Sequence, residues 1–359
     1  MAGGYGPLTP ESAADRVLYS LDSTDGDIIQ PLYTPGVNDG AMVRTSEIGG
    51  HFTKYQLMGQ AFVGIHPNGK EFTQDDLNLF VAYSQFSDQV KDFDALAAGV
   101  RYFNPFSKDG FSSDMRLLQE SLHSLNSLGA DFNMDRTLAL VSANRDLIPL
   151  AGMASHAFED ARPHEGHGSI LGHAGESIMG RSPDHMSPAL AAKTAPDTIR
   201  FFEAMLGVSA DTVLPGQTSS IRDRAMSNLN FALDAAGANG ATGADFERQF
   251  NFSARDLLPK EALTPPTLPV PSISYLWANT PERALAQTTE YLRSINLNVN
   301  PAKFLMDAVD SYTLIANKYL ELTNGRLSTG EWVAPIDRSR VFPSPVPVRP
   351  LVPQPYGGT

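Results

Sequence analysis

Five of the eight histidines fall between His156 and His185, in the stretch HAFEDARPHEGHGSILGHAGESIMGRSPDH. His156 and Asp160 stand four residues apart in an apolar run containing Leu147, Leu150, Ala151, Ala154 and Phe158. A helix there places both side chains on one face. Imidazole nitrogen and carboxylate oxygen are donors that suit zinc, and a catalytic zinc site keeps one position open for water. His164, His167 and His173 follow in a Gly-rich passage that can turn the chain back onto that face, with Glu176 and Asp184 in the same stretch. A lone HxxxD pair is an ordinary surface or N-cap feature. Five histidines so close together, with Asp160, Glu176 and Asp184 among them, make metal binding the reading to test.

Composition narrows the chemistry. The 359 residues include no cysteine, so thiolate ligands, disulfides and nucleophilic thiols are excluded, and any metal must rest on nitrogen and oxygen. The net charge of −13 disfavours non-specific nucleic-acid binding, which depends on neutralising phosphates, unless a cleft is locally basic. The start MAGGYGPLTPESAADRV lacks the basic and apolar regions of a secretory signal, and no run approaches the apolar length of a membrane span. The expectation is a chain that is cytoplasmic or exported by a route other than the Sec route.

The elements that must position these residues read as helices. Thr9-Pro10-Glu11 starts one that ends near Asp22, and residues 22–50 read as irregular chain. Asp22, Asp25 and Asp27 there fail the calcium-loop spacing. A helix carries His51 through Phe62. Thr73 and Asp76 form a capping box for a second, whose face Leu77, Phe80, Val81 and Ser84 also carries Asp88, a carboxylate that needs a partner if buried. Ser112 or Ser113 opens a third through Leu118, Leu122 and Leu125 to Gly129, with His123 beside its stripe as a packed or surface histidine. The central helix runs from about Asp146 or Pro149 to Arg162. Further helices run from Ser187-Pro188 to Gly207 and from Ser219 to Ala236, and two more start at Thr280-Pro281 and Asn300-Pro301. The fold class is all-α, a multi-helix bundle with irregular loops. Its expected organisation is an arm over 1–50, a metal-binding core over 51–236, a Gly/Pro-rich connection over 237–279, C-terminal helices over 280–334, and an extended Pro-rich tail over 335–359, a segment suited to docking on a protein partner.

Four stretches in order, GHFTKYQLMGQAF, TQDDLNLFVAYSQFSDQV, LAGMASHAFEDARPHEGH and GHAGESIMGRSPDH, resemble motifs of the all-helical zinc-dependent phospholipase C and single-strand zinc nuclease superfamily, nearest to uncharacterised, toxin-associated bacterial members. The resemblance spans about residues 48–207. It implies that His51 and Asp88 help hold one zinc, His156 and Asp160 a neighbouring one, and His164 and His173 a further one. Asp184 matches the acid of the last motif. Arg101 and Arg181 stand where the superfamily has histidines; a guanidinium cannot ligate zinc but can bind phosphate. The cluster then holds fewer metals, or His167, Glu176 or His185 substitutes. The expectation is one or two zinc ions, up to three, with Asp88 as a ligand or as the base that positions water, and Arg101 and Arg181 as phosphate clamps. The implied activity is hydrolysis of a phosphodiester, a phospholipid headgroup first and single-stranded nucleic acid second. A non-catalytic component of a secretion or virion assembly is the reading from a different class.

Overall fold

The structure is a computed structural model that describes residues 28–30, 43–45, 50–89, 113–165, 187–238, 243–263 and 281–338. Ten α-helices stand among the described residues. They are α1 (Gly50–Gly59), α2 (Gln74–Gln89), α3 (Ser113–Leu122), α4 (Ala130–Ala143), α5 (Ile148–Asp160), α6 (Pro188–Leu206), α7 (Ile221–Gly237), α8 (Gly243–Arg255), α9 (Pro281–Ser294) and α10 (Pro301–Leu322). The strands are three residues each, Ile28–Gln30 and Val43–Thr45, paired antiparallel. An all-α architecture is therefore what the chain adopts. The first helix expected, from Thr9, and the tail after Arg338 lie outside the described residues.

Local chemistry sets the helix ends. Asp76 Oδ2 accepts from the Thr73 N–H at 3.0 Å and from the Thr73 hydroxyl at 2.9 Å, while that hydroxyl accepts from the Asp76 N–H, a closed capping box. Ser187 caps α6, which ends at Gly207 in the left-handed region with φ of 67°. Ser220 with Asp223 and Asn300 cap α7 and α10. Three features depart from the sequence reading. The helix expected to reach Gly129 ends at Leu122, and α4 occupies residues to which the sequence reading assigned no element. A helix, α8, stands inside the expected connection, with Phe246 and Phe250 buried in the common core.

Helix α5 is the centre of the bundle, buried along almost its whole length and packed by α2, α4, α6 and α10. Gly152 permits the closest of these approaches: a Cβ there would lie 2.5 Å from both the Phe80 carbonyl oxygen and Tyr83 Cβ on α2. Ser84 Oγ sits 2.8 Å from Ser155 Oγ, and Ser87 donates to the Met153 carbonyl at 3.0 Å, so polar contacts fix α2 against α5 as well. Tyr55 meets Phe80, Phe201 and Phe202 edge-on at 5.5–6.0 Å, Phe80 lies tilted against Phe201 and Phe202 at 6.0 and 5.3 Å, and Tyr83 stacks on Phe304 at 4.0 Å. Such pairs add about 0.5–1.5 kcal/mol each beyond the area they bury.

Ionisable side chains are built into this core as well. Lys54 Nζ pairs with Glu159 on α5 and donates to Thr194 Oγ1 on α6 at 2.8 Å, with its side chain wholly enclosed. Burial lowers the Lys54 pKa, against the pull of Glu159. Glu120, also enclosed, accepts from the Ser328 N–H and the Ser328 hydroxyl at 2.7 Å each and from the Tyr319 hydroxyl. That carboxylate ties the end of α3 to α10 and to the turn after it. The chain then runs back along α10, where Ile336 exchanges hydrogen bonds with the Asn317 side chain at 2.7 and 2.8 Å.

Candidate metal centre

The last turn of α5 and the turn that follows α3 meet at a buried cluster. His156 and Asp160 project from the same face of α5, and His156 Nε2 lies 3.1 Å from Asp160 Oδ2. His123, just past the end of α3, brings Nδ1 to 2.9 Å from His156 Nε2 and 3.7 Å from Asp160 Oδ2. The two imidazoles meet edge to face at 86°, so their nitrogen edges converge. These three residues form a group that can hold a metal ion. Zinc–nitrogen bonds of 2.0–2.1 Å in a tetrahedral site place neighbouring donors about 3.3 Å apart. The observed separations bracket that edge.

Electrostatics points the same way. Two imidazole nitrogens in contact cannot both present lone pairs to each other, so a proton or a metal cation must sit between them. Burial alone pushes the Asp160 carboxyl up, but the charges of His156 and His164 and hydrogen bonds from His123 and His156 overcome it and hold the group well below the usual carboxylate range. Asp160 is thus held as a buried carboxylate by the histidines around it, and either protons on those rings or a metal ion between them satisfies its charge. The His156 and Asp160 side chains are 7% and 5% exposed and that of His123 is 12% exposed.

His164 completes the surroundings. Its Nδ1 lies 2.6 Å from the His123 carbonyl oxygen, which can only accept, so Nδ1 carries a proton. Nδ1 also lies 3.7 Å from Asp160 Oδ2. The series His156, Asp160, His164 at successive intervals of four keeps all three on one side of α5 and its C-terminal turn.

Of the residues singled out from sequence, His156, Asp160 and His164 are thus brought together. His123, expected from sequence as a packed or surface histidine, is packed against His156 and also stands in the group that could hold a metal ion, a place the sequence reading did not give it. No spacing signal marks it, because it joins the cluster through a turn and from 33 residues away. His51 lies in α1, and Asp88 in the last turn of α2 one turn beyond Ser84; their side chains lie outside the described residues. Arg101, Arg181, His173 and Asp184 lie outside them too, as do His167, Glu176 and His185.

Comparison of the chain with protein-family models, with curated proteins and with solved structures finds no match. No helix among the described residues is long and apolar enough to cross a membrane.

Proposed function

We propose that the protein is a zinc-dependent hydrolase of phosphodiesters, resembling phospholipase C, with its metal centre on His123, His156 and Asp160. The observation that carries the reading is the convergence of three donor atoms at 2.9–3.7 Å in a buried setting. Two nitrogens and one carboxylate oxygen are the donor set of a catalytic zinc site, which leaves a coordination position open. A zinc ion held there supplies Lewis acidity toward a phosphoryl oxygen and acidifies water.

The chain's own residues do the rest. Asp160 supplies the negative charge that would retain a dication. His164 fixes the His123 backbone, which orients one ligand in the way that outer hydrogen bonds tune metal sites generally. Asp88 is proposed as a further ligand or as the base that positions water. Arg101 and Arg181 are proposed as cations for the phosphate, since a guanidinium matches phosphate geometry with two parallel donors. By the same resemblance His51 and Asp88 are proposed to help hold one further ion and His164 and His173 another, with Asp184 as the acid of the last motif. The Pro-rich tail is proposed as a docking segment for a protein partner.

The test is elemental analysis of the purified chain, followed by parallel assays on choline phospholipid vesicles and on single-stranded DNA. Zinc with headgroup release supports the reading. Zinc with DNA cleavage alone makes the protein a nuclease, and the absence of bound metal favours a non-catalytic interaction protein.

A further inference from the structure

Among the described residues, four that are not glycine have positive φ: Asn68, Ser124, Asn296 and Asn324. Asparagine tolerates this left-handed region because its amide bonds locally, and serine has no such advantage. Ser124 is also 1% exposed, with φ of 52°, and it directly follows the ligand-type residue His123. A strained conformation persists only where its surroundings over-determine it. Those surroundings are specific here. Ser124 Oγ donates to the Ala157 carbonyl at 2.6 Å, one residue past His156, and the Ser124 carbonyl accepts from the Asn126 N–H at 2.9 Å. Glycine would satisfy the backbone but could not make the bond to Ala157.

We infer that Ser124 is a positioning residue for the metal centre, which uses a left-handed kink and a hydroxyl clasp to hold His123 against His156. This rests on the metal reading of His123, His156 and Asp160. The kink closes α3 just past Leu122: the His123 N–H still bonds the Gln119 carbonyl at 3.2 Å, and the left-handed Ser124 then turns the following chain so that its hydroxyl meets α5. The clasp then fixes the distance between the His123 turn and α5 on one side, while the His164 bond to the His123 carbonyl fixes it on the other. The two nitrogens are thereby set 2.9 Å apart before any ion arrives.

Ser124→Gly separates geometry from folding, because relief of backbone strain opposes loss of the hydroxyl bond. Its metal-free melting temperature should stay within about 4 °C of wild type. Its zinc affinity, read by competition with a chromophoric chelator, should fall about 10- to 100-fold, the usual effect of removing a residue that orients a ligand. Long-range 1H–15N spectra of the metal-free protein should show the His123 ring signals displaced while those of His66 stay in place. Ser124→Ala, which loses the hydroxyl and keeps the strain, should weaken zinc at least as much, and it serves if the glycine variant does not fold. Wild-type zinc affinity in Ser124→Gly, alongside loss of zinc in His123→Ala, overturns the role of Ser124 and leaves the metal centre standing. Wild-type protein that takes up no zinc overturns the metal centre and this inference with it.

Discussion

His164 Nδ1 and the carbonyl oxygen of His123 lie 2.6 Å apart, a bond that fastens the end of α5 to the turn beyond α3 without the help of any ion. Its loss in His164→Ala leaves a carbonyl with one fewer partner, at a cost of about 1 kcal/mol in stability. Zinc affinity should fall more than that cost suggests, because His123 loses its anchor. Urea unfolding of the metal-free protein and chelator competition measure the two effects separately.

Gly152 should tolerate no side chain. A methyl group 2.5 Å from the Phe80 oxygen and Tyr83 Cβ forces α2 and α5 apart, and overpacking of this kind costs about 3 kcal/mol. Gly152→Ala should lower the urea midpoint accordingly. An unchanged midpoint would show that the two helices pack less closely than described.

The Lys54 pair with Glu159 offers a test by double substitution. Lys54→Met leaves Glu159 buried without its cation and should destabilise by about 3–5 kcal/mol. Adding Glu159→Gln removes the orphaned charge and should recover much of that loss. Additive losses in the double variant would mean that the two side chains do not interact.

Alkaline pH should unfold the protein through its tyrosines. Burial raises the pKa values of Tyr55, Tyr83 and Tyr319, reinforced by Glu159, Asp307 and Glu120 respectively. Each stays protonated in the native state above the unfolded value of about 10, so the unfolded state binds fewer protons there and stability falls as pH rises, by up to about 1.4 kcal/mol per group per pH unit. Below pH 10 both states hold these protons and the contribution is flat. Absorbance of tyrosinate across pH 9–12 should show a late fraction that titrates together with loss of helical circular dichroism.

Helix boundaries set by side-chain chemistry were legible from sequence. Thr73 with Asp76, Ser187 before Pro188 and Asn300 before Pro301 each close a cap with their own neighbours, and the pattern of residues states the contact. The pair His156 and Asp160 was legible for the same reason, since a helix converts a spacing of four into adjacency. His123 was not. Its place depends on a left-handed serine, which no propensity favours, and on contacts between α3, α5 and the turn after α10 that are remote in sequence. Helix α4 was missed because Asp131, Asn133, Asp135 and Arg136 interrupt its apolar pattern, although Asn133 and Arg136 are themselves buried.

The most direct test of the central claim is zinc content per chain, measured by elemental analysis after zinc loading and gel filtration, in wild type and in His123→Ala and His156→Ala. The account predicts one or two zinc ions per wild-type chain, and in each variant the loss of the ion shared by His123, His156 and Asp160. Full zinc retention in His123→Ala would contradict it, as would a wild-type chain that emerges without zinc.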